Sequence, residues 1–132
     1  MNLLLIGAGQ LGSRHLQACL KYQNKLNIYV VDNSKSSLDL SEMRAKEIDN
    51  LENHNVKYLM DLSLIDEISF DYLILATGAS VRYQILANVL KLFTIKYAIL
   101  EKVLFQDLQS YKYASQLIKD NNLTTFVNCP LR

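Results

Sequence analysis

These 132 residues predict an α/β fold, a doubly wound parallel sheet of six strands in the order 3-2-1-4-5-6. Three observations predict it. Apolar, β-rich runs alternate with segments of helical periodicity along the whole chain. The run Tyr72-Leu-Ile-Leu-Ala is apolar at every position and not at every second one, as expected of a parallel strand covered by helices on both faces. The first run stops at Gly7 and opens into Gly-x-Gly-x-x-Gly where a helical pattern begins.

The elements follow in order. Residues 3–6 form the first strand. Residues 11–23 place Leu16, Cys19 and Leu20 on one face, with Arg14, Gln17 and Lys21 elsewhere, which is a helix. Residues 27–31 read as a β-branched second strand. Residues 36–53 read as a charged helix with Leu38, Ala45 and Ile48 inward and Glu42/Lys46 as an (i, i+4) pair. A short third strand at 56–59, a helical turn at 63–68 and the fourth strand at 72–77 come next. Val81, Ile85, Leu86, Val89, Leu90 and Phe93 make the stripe of the following helix. Residues 97–101, 108–118 and 124–128 complete the series as strand, helix and strand. Right-handed crossovers then place the carboxyl ends of the strands on one crevice.

The chemistry-bearing residues all fall at that edge. Gly7, Gly9 and Gly12 supply a tight turn, close approach of a diphosphate to the backbone, and close packing of helix on strand. The N–H groups of Gln10 and Leu11, at the positive end of the helix dipole, are placed to hold the diphosphate. Asp32, followed by Asn33, lies 20 residues beyond Gly12 and is placed to accept from the adenosine ribose hydroxyls. A carboxylate there repels a 2′-phosphate, so NAD is favoured over NADP; Ser34, Lys35 and Ser36 leave NADP open, and a helix cap is the alternative role for Asp32. Thr77-Gly78, Glu101-Lys102 and Asn128 follow the fourth, fifth and sixth strands. A lysine beside a nicotinamide can hydrogen-bond a substrate hydroxyl and exchange its proton.

Other classes are disfavoured by composition. A net charge of +1 with no run of basic residues gives no footprint for nucleic acid. The run at 3–6 is far below membrane-spanning length, so a cytoplasmic protein is expected. Cys19 and Cys129 lack Cys-x-x-Cys spacing and are expected as buried free thiols. His15 and His54 belong to no metal-binding motif, so no metal is expected, and Arg14 and His15 read as structural. Tyrosines 29, 58, 72 and 97 read as sheet packing, while Tyr83 follows the Thr77-Gly78 turn within reach of a cofactor. No linker or repeat divides the chain, whose single proline is Pro130, and one dinucleotide-binding domain is expected over 1–132.

With these residues in hand, the chain resembles the amino-terminal half of the glucose-fructose oxidoreductase / inositol dehydrogenase (Gfo/Idh/MocA) family. Ile6-Gly-Ala-Gly-Gln-Leu-Gly-Ser-Arg-His15, Ala76-Thr77, Leu100-Glu-Lys102 and Val127-Asn-Cys-Pro-Leu-Arg132 carry the resemblance, which spans the chain. It implies a Rossmann fold that binds NAD or NADP in an oxidoreductase acting on a sugar, cyclitol or sugar-nucleotide carbon. Lys102 matches the catalytic lysine of the family's Glu-Lys-Pro motif, Glu101 the acid beside the nicotinamide ribose, and Thr77 and Asn128 cofactor-lining positions. Val103 stands where the family has proline, often after a cis bond. A cis bond before another residue type costs about 2.5–4 kcal/mol, so a trans bond and a differently aimed Lys102 are expected. The resemblance also implies a downstream substrate and oligomerisation domain absent from this chain, a homo-oligomeric full-length protein, and an isolated domain without turnover. The alternative reading is a nucleotide-sensing regulatory domain without catalysis. A methyltransferase-like domain and a short-chain dehydrogenase are disfavoured, the first for want of an antiparallel seventh strand and the second because no Tyr is followed four residues later by Lys.

Overall fold

The structure, a computed structural model, describes residues 1–129. Its elements run β1 (Asn2–Ile6), α1 (Gln10–Leu20), β2 (Asn27–Val31), α2 (Lys35–Ala45), β3 (Asn55–Leu59), β4 (Ser69–Leu75), α3 (Ala79–Leu92), β5 (Thr94–Glu101), α4 (Leu108–Asp120) and β6 (Thr124–Asn128). The strands form one sheet in the order β3-β2-β1-β4-β5-β6, every neighbouring pair parallel. β1 is central, pairing Leu3–Ile6 with Ile28–Val31 on one side and with Tyr72–Leu75 on the other.

Two apolar layers sandwich the sheet. Leu3, Leu5, Ile28 and Val30 pack against Leu16 and Leu20 of α1 and Leu38 and Ala45 of α2. On the opposite face, Leu4, Ile6, Leu73, Leu75 and Leu100 meet Leu86 and Val89 of α3, with Leu117 and Ile118 of α4 alongside. Phe70 is fully buried and lies edge-on between Tyr29 and Phe93, each ring centroid 5.4 Å away. Burial on both faces explains the unbroken apolar strand sequences.

The structure departs from expectation at several element limits and on one helix face; β4 and β5, for example, begin earlier, at Ser69 and Thr94. α2 stops at Ala45, and residues 49–53 form a separate 3-10 turn. Asn50 in that turn donates to the carbonyls of Leu20 and Tyr22 at 3.0 and 2.8 Å, while His54 Nδ1 accepts from Leu26 N at 3.2 Å and its Nε2 lies 3.1 Å from Leu20 O. The segment is therefore committed to the open carboxyl end of α1 and is drawn out of helical register. The turn expected at 63–68 is confined to Leu62–Leu64, and Ile68 is exposed because the chain there runs extended into β4. Within α3, Val81 is exposed, and Arg82 takes its place on the buried face.

Of the two thiols, Cys129 is exposed, since it follows β6 at the edge of the sheet, whereas Cys19, on α1, is half-buried. Tyr72 and Tyr97 stack at 5.4 Å on the sheet face that bears α1. Tyr97 and Phe126 remain exposed there, because no described helix covers β5 and β6 on that side. Among the described residues no helix is long and apolar enough to cross a membrane.

Candidate functional site

The three glycines occupy three different environments, and each explains its own position. Gly7 has φ +93, and a Cβ on it would stand 2.8 Å from the carbonyl oxygen of Ala76. Only glycine adopts that turn without strain. A Cβ on Gly12 would lie 1.7 Å from the carbonyl oxygen of Gly7, so α1 sits directly on the loop that leads into it. Around Gly9 a Cβ would meet nothing within 4 Å. Gly9 begins α1 with no side-chain cap, and the first turn carries no acid. The N–H groups of Gln10 and Leu11, which have no acceptor within the helix, thus face open space at its positive end.

Asp32 is fixed beside this loop. Its Oδ2 accepts from Ala8 N at 2.7 Å and its Oδ1 from Ser34 N at 2.8 Å. The cap of α2 is Ser34, whose hydroxyl accepts from Ser37 N, so the capping alternative for Asp32 is set aside. Asn33 is exposed next to it. Ser34 and Ser36 pair through their hydroxyls at 2.9 Å, and Lys35 pairs with Asp39. Arg44, which sequence reasoning passed over, reaches from α2 to Gln10 O at 3.1 Å, Gln10 Oε1 at 2.6 Å and Ser13 Oγ at 2.7 Å. It holds the start of α1 in place.

At the other end of the crevice, Glu101 closes β5 with only 5% of its surface exposed. Its Oε1 accepts from Asn128 Nδ2 at 2.7 Å and from His15 Nε2 at 2.6 Å; toward a carboxylate, Nε2 carries the proton. Thr77 lies just beyond β4 with its Oγ1 buried and without a partner, and Gly78 begins α3 with no side-chain cap.

Arg82 is the residue that organises this end. It is 2% exposed, and its guanidinium donates to Glu101 O at 2.6 Å, to Leu104 O at 2.8 Å, and to the carbonyls of Val103 and Thr77. Burial holds its pKa below the ordinary arginine value, with the Glu101 charge opposing that shift. The trans bond expected after Lys102 is corrected here: Lys102–Val103 is cis. The loop folds round one guanidinium, which gathers the carbonyls of Glu101, Val103 and Leu104. Lys102 itself is exposed and makes no hydrogen bond or ion pair among the described residues.

Two further side chains are placed otherwise than at the crevice. Tyr83 packs against Phe105 and Tyr113, with ring centroids 6.5 and 6.0 Å away, because its place on α3 turns it toward α4. Arg14 donates to Gln17 Oε1 at 2.7 Å. Among the described residues no group of three or more His, Cys, Asp or Glu side chains is arranged to hold a metal ion. The last part of the terminal motif, Pro130 to Arg132, lies outside the described residues.

No family profile matches the chain, and no curated protein matches it by sequence. Solved structures do match. One is an oxidoreductase from Agrobacterium radiobacter in complex with NAD+, L-tartaric acid and magnesium, with 17% identity over 97% of this chain and 35% of the other, at TM-score 0.72. A second is the WlbA dehydrogenase from Chromobacterium violaceum in complex with NADH and UDP-GlcNAcA, with 16% identity over 96% of this chain and 34% of the other, at TM-score 0.71. A third is scyllo-inositol dehydrogenase from Lactobacillus casei with bound NAD(H) and scyllo-inositol, with 15% identity over 97% of this chain and 36% of the other, at TM-score 0.71. This chain shares their fold. It spans about a third of the length of each.

Proposed function

We propose that this chain is the NAD-binding domain of an oxidoreductase of the Gfo/Idh/MocA type. The observation that carries the reading is the open cradle at Gly9, where a Cβ would meet nothing within 4 Å, set between unpaired helix N–H groups and the fixed Asp32 carboxylate. The residues present fit a dinucleotide along their whole span. Gln10 and Leu11 bind the diphosphate through their N–H groups. Each Asp32 oxygen accepts one backbone N–H and keeps a lone pair for a ribose hydroxyl. Thr77, just beyond β4, and Glu101, closing β5, line the nicotinamide half. When bound, NAD supplies a hydride acceptor or donor at its nicotinamide ring.

NAD is favoured over NADP because Asp32 repels a 2′-phosphate. Lys102, exposed and without a partner among the described residues, would hydrogen-bond a substrate hydroxyl and exchange its proton. The reacting carbon belongs to a polyol, sugar or sugar nucleotide, held by further polypeptide that also builds a homo-oligomer. The 132 residues alone therefore bind cofactor without turnover, since transition-state stabilisation needs several groups in register. Titration of the domain with NADH, followed by nicotinamide fluorescence and competed with NADPH, tests the reading. Saturable binding with NADH the tighter ligand supports it. Equal affinities, or no binding, contradict it, and polyol turnover by this chain unaffected by Lys102→Ala contradicts the role of the lysine.

A further inference from the structure

We propose that His15 is a positioning residue that aims the Glu101 carboxylate at the nicotinamide half of the ligand. The proposal rests on the NAD-binding reading and adds a residue which sequence reasoning treated as structural. Both hydrogen bonds to the Glu101 side chain end on Oε1, from His15 Nε2 at 2.6 Å and Asn128 Nδ2 at 2.7 Å. Oε2 accepts no hydrogen bond among the described residues. Two donors on one oxygen prevent the carboxylate from turning, and Arg82 fixes its backbone carbonyl at 2.6 Å from the other side. Glu101 is left with a single aimed acceptor, suited to a ribose hydroxyl.

His15 lies on α1, the helix whose first N–H groups face the diphosphate position. From Gln10 to His15 the helix rises about 7–8 Å, at 1.5 Å per residue. One rigid helix thus sets both the diphosphate cradle and, through His15, the acceptor for the neighbouring ribose. Loss of His15 weakens the hold on the nicotinamide half and spares the adenosine-diphosphate half.

The test compares NADH with ADP, which carries the adenosine and diphosphate but lacks the nicotinamide ribose. His15→Ala is expected to weaken NADH about tenfold, the scale of one lost hydrogen bond to a charged group, with ADP unchanged within about twofold. His15→Gln, whose amide can donate to Oε1, is expected to recover most of the loss. In a Glu101→Ala background, His15→Ala is expected to add nothing. Should His15→Ala not fold, His15→Phe fills the same space without a donor and is read by the same NADH-to-ADP ratio. A variant that weakens NADH and ADP equally, or weakens neither, overturns the positioning role and leaves the nucleotide reading standing. Failure of the unmutated chain to bind either probe overturns that reading and the proposal with it.

Discussion

Substitution of Gly12 and Gly9, three residues apart, is expected to give opposite results. A Cβ at Gly12 falls 1.7 Å from the carbonyl oxygen of Gly7, where non-bonded heavy atoms normally keep about 3.5 Å. Gly12→Ala must therefore push α1 away from the loop by nearly 2 Å. The obstructing atom is main chain, in a residue already held at φ +93, so no side chain can swing aside to relieve it. Overpacking of this kind costs about 3 kcal/mol or more, which lowers the melting temperature by about 10 °C. Gly9 has φ −66 and extended ψ, and its Cβ would enter open space, so Gly9→Val should change stability by less than about 0.5 kcal/mol. The valine instead fills the volume over the helix N–H groups that a diphosphate needs, and saturable NADH binding should be lost. Thermal unfolding by circular dichroism and a fluorescence titration of both variants decide the matter. A Gly12→Ala domain as stable as the original refutes the packing argument, and unchanged NADH binding by Gly9→Val refutes the placement of the ligand.

Three other outcomes are expected. Asp32→Ala should cost NADH about 1.5–3 kcal/mol and NADPH less, narrowing the ratio of the two affinities; a ratio that does not move removes Asp32 from cofactor choice. Arg82→Met keeps the apolar stem but leaves the carbonyls of Thr77, Glu101, Val103 and Leu104 without their donor, and urea unfolding should register a loss of about 3 kcal/mol or more, against which a loss below about 1 kcal/mol would count. Burial pushes the Cys19 thiol from 9.0 up to about 11, so at pH 8 iodoacetamide should modify the exposed Cys129 first, with Cys19 following only on unfolding or as the pH nears 11. Equal labelling rates at pH 8 would contradict the packing of Cys19.

The sheet order was legible because each strand is a short run of apolar and β-branched residues bounded by polar or glycine punctuation, and β2 and β6 match their expected limits residue for residue. The glycine loop was legible for a related reason: its chemistry is local, and its three positions lie within six residues. What escaped depends on partners distant in sequence. Residues 46–53 contain no glycine or proline to end a helix, and only the demand of Leu20 and Tyr22 for donors explains why Asn50 leaves the helix. Arg82 was passed over, yet Arg82, Leu86, Val89 and Phe93 follow the spacing of a buried stripe, and that signal was available in the sequence. His15 meets Glu101 across 86 residues, a contact that no local pattern announces.

The central claim is that a nicotinamide adenine dinucleotide lies over the glycine loop, and its position is seen most directly in amide ¹H–¹⁵N spectra recorded while NADH is added. Saturable shifts are expected at Gly9, Gln10, Leu11 and Gly12, with Ala8 and Thr77 following. Shifts confined to the open sheet face around Tyr97 and Phe126, or no shifts at millimolar NADH, would contradict it.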